Sequence, residues 1–256
     1  MADRSGKPGI RLEGLVSLVI PVHNESENMA RVIPAVRTAL AQLTASFEVV
    51  LVDDGSTDST VTVAKEQMGE QGDQLRVVSH LRQSGYGITV ADGLRAAAGD
   101  WVAFVDGDGQ FDPLDLRLLA ELADEGDLIA GWRIHRADPW HRSVVSGTFN
   151  VLVRILYGIH YRDVDCGFKL IRRSVLEAAS PILARSALLN TELYFKARRS
   201  GFRIRQVGIV HHPRIAGVRA GGRLVPILRA VREVFRLRLA LARGWRPPAP
   251  RQQQRS

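Results

Sequence analysis

The chain has 256 residues, 45% hydrophobic and 24% charged, with ordinary numbers of Gly (23) and Pro (11), which excludes a disordered or collagen-like chain and favours one folded unit. A single cysteine, Cys166, excludes an intramolecular disulfide and a thiol metal cluster and fits a reducing compartment. The net charge of +8 is uneven: from Arg203 onward 13 Arg face one acid, Glu233, a balance of +12 that leaves −4 for the first 202 residues.

In chain order, residues 1–14 carry charges and no apolar run of the signal-peptide kind, and are expected to be flexible. Leu15 to Val22 (LVSLVIPV) has the β-branched, continuously apolar character of a buried parallel strand. Helical spacing follows from Met29 to Leu43, and Phe47 to Val52 predicts a second strand, stopped by Asp53-Asp54-Gly55-Ser56. Thr57 or Asp58 can cap a helix through Lys65, and Leu75 to Ser79 predicts a third strand. A Gly-rich turn at Ser84 to Gly87 leads into a helix through Ala98, then a fourth strand at Trp101 to Val105 and a fifth at Asp127 to Ala130. Alternation with short connections predicts an α/β fold with a mostly parallel central sheet flanked by helices. Later, the pattern predicts helices over Val144 to Ile159, Arg173 to Ala179 and Asn190 to Ser200, a loop over Tyr161 to Gly167, and a strand at Phe202 to Val210. A basic amphipathic segment (216–246) and a disordered tail (247–256) complete the chain, with 15–215 as the main domain. No uncharged stretch of about 18 residues exists, so no transmembrane helix is expected.

Carboxylates follow the predicted strands: Glu25 after the first, Asp53 and Asp54 after the second, Asp106 and Asp108 after the fourth. In an open parallel sheet those ends share one edge, where ligands bind. Clustered carboxylates repel one another unless a cation offsets them, and Asp106 and Asp108 can aim hard oxygens at one Mg²⁺ or Mn²⁺ bridging a diphosphate. As isolated dipeptides, Asp106-Gly107 and Asp108-Gly109 read equally well as turns. An EF-hand fails because Phe111 stands where Gly is needed, a dinucleotide fingerprint fails at Val90, and no P-loop sequence occurs.

VSLVIPVHNESEN (Val16 to Asn28), VVLVDDGSTDST (Val49 to Thr60), GYGITVADGLRAAAGDWVAFVDGDGQ (Gly85 to Gln110) and DVDCGFKLIRR (Asp163 to Arg173) occur in the order of the motifs of family 2 glycosyltransferases, which the chain resembles over about residues 15 to 215. Within that family it looks most like polyprenyl-phosphate (dolichol-phosphate) mannosyltransferases, although Gly107, Gly109 and Cys166 depart from their pattern. The resemblance implies a GT-A fold, a nucleotide-sugar donor such as GDP-mannose, and inversion at the anomeric carbon. It places Pro21, Val22, Asn24 and Glu25 around the nucleoside and Asp53 on the base or ribose. Asp106, Asp108 and Gln110 are then the metal and diphosphate ligands. Arg133, Lys169 or Arg172, and Arg214 in HHPRIAG (His211 to Gly217), are expected to meet phosphates.

The expected acceptor is a polyprenyl phosphate, with a hydroxyl acceptor as the alternative. A polyprenyl phosphate is already an anionic nucleophile and needs cations, which Lys169, Arg172 and Arg173 supply. A hydroxyl acceptor needs a general base, for which Asp163, Asp165 and Glu192 are candidates, although Glu192 also reads as a solvated helix residue and the two Asp as turn formers. In the basic segment Leu228, Val231, Phe235 and Leu239 recur at helical spacing among Arg, with Trp245 as a candidate interfacial anchor. That face suits either lipid headgroups or the protein's own body. A nucleic-acid-binding protein would explain the 13 Arg alone, and no recognition motif or stacking platform accompanies them. The expected location is cytoplasmic, peripheral to the inner face of the membrane, with no nucleic-acid partner.

Overall fold

The computed structural model describes residues 11–134, 153–214 and 227–247, and of 227–231 only the backbone. The expectations for the N-terminus, the tail, the early part of the 144–159 helix and Ile215 to Gly217 fall mainly outside these residues.

Among the described residues seven strands form one sheet in the order β3-β2-β1-β4-β6-β5-β7. They are β1 (Leu15–Val22), β2 (Ser46–Asp53), β3 (Leu75–Ser79), β4 (Trp101–Val105), β5 (Leu128–Arg133), β6 (Phe168–Arg172) and β7 (Ile204–Ile209). β1 pairs in parallel with β2 and β4, and β2 with β3; β6 alone runs antiparallel, between β4 and β5, while β5 and β7 are parallel. The described helices include α1 (Ser26–Leu43), α2 (Thr60–Met68), α3 (Tyr86–Ala96), α4 (Leu116–Ala120), α5 (Arg173–Ala179), α6 (Leu188–Arg199) and α7 (Ile227–Gly244), and residues 153–157 are also helical.

The period-2 pattern of the strands divides the core in two. Leu18, Ile20, Val49 and Leu51 face a cluster with Met29, Ile33 and Leu40 of α1, whereas Val19, Val50, Val52 and Phe104 face Val90 and Leu94 of α3 and Leu189 of α6. Helices thus cover both faces of the sheet, as a parallel sheet requires.

β1, β3 and β4 occupy the residues that periodicity predicts. β6 is the strand that periodicity does not show. It is five residues long with Lys169 at its second position, and only its place between β4 and β5 makes it a strand. β5 extends three residues past the predicted Ala130 because it pairs with β7 through Arg133↔Ile209.

α7 packs on the body through a face different from the predicted stripe. Val234, Leu237 and Leu241 are buried together with Trp245, whose Nε1 donates to Ala178 O at 3.2 Å, while Phe235 and Leu239 stay exposed. Trp245 is therefore a core anchor in this structure, not an interfacial one.

Where α3 crosses the sheet, a Cβ on Gly93 would collide with Val19 Cγ1 and lie 2.8 Å from Val52 Cγ2. Helix propensity alone makes Gly93→Ala stabilising by about 1 kcal/mol, but overpacking a rigid β-branched core costs about 1–3 kcal/mol. The expected outcome is a lower melting temperature for Gly93→Ala; a higher one would show that α3 can lift off the sheet without loss.

Candidate active site

Strand order runs outward from β1 in both directions, so the chain reverses between β1 and β4, and a crevice opens beyond their carboxyl ends. A cleft of about 210 Å³ lies there. Pro21, Val22, His23 and Glu25 line it from the end of β1, and Asp106 to Asp108 from the end of β4. Asp54, Gln83 and Tyr86 close one side and Arg214 the other.

Asp106 is the most perturbed acid. Burial, then the neighbouring Asp108 charge, raise its pKa to about 7, against the Tyr86 hydroxyl and the charges of Lys169 and Arg133. Its Oδ1 is shut off from solvent and has no hydrogen-bond partner. Asp106 also lies so close against Gly167 that any Cβ there would overlap its carboxylate, and its backbone N–H donates to Gly167 O at 3.2 Å. Asp108 accepts from Gln110 N at 3.1 Å and lies 3.9 Å from Arg214 Nη1. Arg214 also pairs with Glu25, whose pKa burial raises despite hydrogen bonds from Asn28 and Arg214.

A buried carboxylate oxygen without a partner next to a second carboxylate fits a hard divalent cation. Among the described residues no group of three or more His, Cys, Asp or Glu is placed to hold a metal. The residues therefore fit an ion gripped by Asp106 and Asp108 and completed by phosphate oxygens and water, the usual arrangement for Mg²⁺.

The loop after β2 builds the opposite wall. Asp54 lines the cleft, whereas Asp53 is not among the lining residues and its Oδ1 accepts from Ser56 N at 3.0 Å. Burial alone would raise the Asp54 pKa, but hydrogen bonds from His80 and from the N–H groups of Ser84 and Gly85 outweigh it and hold it low. His80 is clamped at 2.8 Å to Asp54 and 3.1 Å to Asp92. Burial would lower its pKa, and the two carboxylates reverse that and raise it. Sequence reasoning missed this cluster, because His80 and Asp92 meet only once β3 and α3 pack together. Asn24, at φ 55°, is committed to the same loop, accepting from Thr57 N at 2.8 Å.

Several expected phosphate ligands lie elsewhere. Lys169 is fully buried and donates to Val164 O at 3.2 Å, Asn190 Oδ1 at 2.8 Å and Cys166 O, so it holds the Asp163 to Gly167 loop from within. Burial lowers its pKa against the pull of nearby acids and pushes the Cys166 thiol up to about 12. Arg172 pairs opposite Trp101 at the far edge of the sheet, because antiparallel β6 carries its carboxyl end away from the cleft; there it stacks 4.3 Å from the Trp101 ring and pairs with Asp127. Arg173 likewise donates to Ala97 and Gly99 carbonyls. Arg133 forms a bidentate pair with Asp163, at 2.7 and 2.6 Å. Gln110 is turned to His212, donating to its carbonyl at 3.0 Å. Asp165 is near enough to Lys169 and Tyr86 for its charge to act on both. Glu192 accepts from Leu183 N and Ala184 N and pairs with Lys196 at 2.6 Å, both side chains fully buried, so it is a structural acid.

Residues 17–179 match the family model for glycosyl transferase family 2, and the chain belongs to that family. Its fold is the GT-A fold. The dodecaprenyl-phosphate galacturonate synthase of Rhizobium johnstonii is 32% identical over 206 residues, covering 79% of this chain and 60% of the relative. The undecaprenyl-phosphate 4-deoxy-4-formamido-L-arabinose transferase of Aeromonas hydrophila is 32% identical over 187 residues, covering 73% of this chain and 57% of the relative. The chain thus matches less than two thirds of the length of either. The crystal structure of Mycobacterium tuberculosis glucosyl-3-phosphoglycerate synthase with Mn²⁺, UDP and phosphoglyceric acid aligns with a TM-score of 0.67 at 20% identity, over 96% of this chain and 86% of that one, which shows the fold.

The His80 clamp gives a pH signature. His80, raised in the fold, stabilises it fully below its unfolded value near ~6.5 and ceases to do so as pH rises through its folded value. Asp54, lowered in the fold, contributes above its unfolded value near ~3.9 and loses that contribution as pH falls through its folded value. His80→Gln should therefore cost about 1–2 kcal/mol near pH 5.5 and less near pH 8.5. Thermal melts of both proteins at the two pH values check this, and an equal penalty at both would remove the charged clamp.

Proposed function

We propose that this glycosyltransferase moves a sugar from a nucleotide-sugar donor to a polyprenyl phosphate, with inversion, at the cytoplasmic surface of a membrane. The observation that carries the reading is the switch-point cleft in which Asp106 and Asp108 converge with Arg214 around a carboxylate oxygen that lacks a partner. The names of both curated relatives specify a polyprenyl phosphate, and support that acceptor class. They carry galacturonate and 4-deoxy-4-formamido-L-arabinose, so mannose, expected from the sequence resemblance, is not retained and the donor is named only as an activated pyranose.

Pro21, Val22 and Asp54 are placed to receive the nucleoside, and Arg214 to meet a phosphate. Asp106 and Asp108 would hold Mg²⁺ or Mn²⁺, which when bound offsets the charge developing on the departing nucleoside diphosphate. An oxygen of the acceptor phosphate attacks the anomeric carbon from the face opposite the diphosphate; the new C–O bond forms as the old one breaks, and the electron pair leaves with the diphosphate. The protein supplies alignment and charge compensation.

An acceptor that is already anionic needs no general base. That agrees with the site, since Glu192 is tied to Lys196 and Asp163 to Arg133. A hydroxyl acceptor would need one of these acids released, or Asp165 to serve as base.

The test is release of nucleoside diphosphate from a panel of nucleotide sugars with Mg²⁺ or Mn²⁺ and a short polyprenyl phosphate. Stimulation by the polyprenyl phosphate is expected, with Asp108→Ala lowering turnover about 100-fold or more. Stimulation by hydroxyl acceptors alone would overturn the acceptor, and the absence of any turnover would overturn the reading.

A further inference from the structure

A second cavity, of about 470 Å³, lies between α6, α7 and residues 156–158. It is separate from the donor cleft. Asn190, in the first turn of α6, meets Lys169 behind the Asp163 to Gly167 loop, whereas Arg198 and Arg199 lie at the opposite end of that helix, about 12 Å further along its axis.

Among the described residues, three guanidinium groups line the cavity, Arg198, Arg199 and Arg238, and no carboxylate does. Two of them are held from behind: Arg198 donates to Gly158 O at 2.5 Å, and Arg238 to Leu156 O at 3.0 Å while stacking 5.7 Å from Phe195. Arg199 makes no hydrogen bond or ion pair with the described residues. A guanidinium carries five N–H donors, so most of the donor capacity of the three is left over. The nearby acids do not neutralise them. Glu192 is bound to Lys196, and Glu233 stands outside the lining.

The rest of the wall is apolar, with Tyr157, Phe195, Leu241 and Trp245. The surface beside it is also apolar. Ile155 is 74% exposed, Phe235 52% and Leu239 50%, and Arg232, Arg236 and Arg243 of α7 stand exposed around the last two. Cationic pockets that open onto an apolar, arginine-rimmed helix face match a phosphate whose attached chains lie in a bilayer.

We propose that this cavity binds the phosphate headgroup of an anionic membrane phospholipid, seating the enzyme on the bilayer by α7. The inference deepens the polyprenyl-phosphate reading, since that acceptor lies in a membrane. It concerns a different phosphate, because the acceptor must reach the donor cleft.

The experiment is co-sedimentation of the full chain with phosphatidylcholine vesicles containing or lacking phosphatidylglycerol. Three variants are compared: Arg199→Gln/Arg238→Gln in the cavity, Arg232→Gln/Arg243→Gln with the same charge change on the outer face, and Ala242→Trp, which fills the cavity at constant charge. Binding only to vesicles with phosphatidylglycerol is expected, weakened about tenfold by the cavity pair and by Ala242→Trp, and by less for the outer pair. Equal losses for the two arginine pairs with none for Ala242→Trp would overturn the site in favour of diffuse attraction. So would the absence of binding to anionic vesicles. Displacement by millimolar inorganic phosphate at constant ionic strength would assign the cavity to free phosphate and overturn the lipid. Turnover with a soluble short polyprenyl phosphate, measured in parallel, should be unchanged in all three variants. Its absence in the wild type would sink the acceptor reading while leaving the vesicle result to stand or fall alone.

Discussion

Two carboxylates two residues apart, with one oxygen of the first cut off from solvent, cannot share the mouth of a low-dielectric cleft without compensation. That demand organises the molecule around the end of β4. Tyr86 from α3, Lys169 from β6 and Arg133 from β5 all act on Asp106 to lower its pKa, and burial next to Asp108 still holds it near 7. The protein's own cations stop short of neutralising the pair. What remains is a standing preference for an external positive charge, which is the basis of the proposed cation site.

Much of the surrounding architecture supplies rigidity to that cluster. Lys169 is a fully buried ammonium whose hydrogen bonds reach two carbonyls of the Asp163 to Gly167 loop and Asn190 of α6. The Arg133 and Asp163 pair closes the same loop from the other side. On the opposite wall, Asp54 gathers His80 and two backbone N–H groups into one network. Buried ion pairs of this kind add little net stability, because desolvation offsets their attraction, but removing one partner is costly. They fix geometry, which is what the proposed displacement would require.

The parallel half of the sheet is legible because its strands carry their own evidence: β1, β3 and β4 are short, mainly apolar runs bounded by turn residues, and local chemistry decides them. The convergence of Asp106, Asp108, Asp54 and Glu25 on one edge followed from parallel topology alone. β6 was not legible, because a five-residue strand with a charge at its second position is stabilised by neighbours distant in sequence. The misplacement of Lys169 and Arg172 has the same root. Their proximity in sequence suggested a cationic patch, but on a strand adjacent in sequence does not mean adjacent in space, and three residues of antiparallel β6 separate the cleft end from the far edge. Asp53 and Asp54 show the finer limit, since which of two consecutive acids faces the cleft depends on the turn after β2 and not on composition.

α7 illustrates why an amphipathic pattern is ambiguous when a helix has two uses. Its apolar residues exceed one stripe: Val234, Leu237 and Leu241 are spent on the body, and Phe235 and Leu239 remain outside. They stand among the exposed Arg232, Arg236 and Arg243, the combination of apolar and cationic groups that the proposed anionic bilayer would meet. The same helix therefore links the catalytic body to its surroundings: one face fixes its orientation through the core, and that orientation determines which way the outer face, and with it the arginine-lined cavity, presents itself.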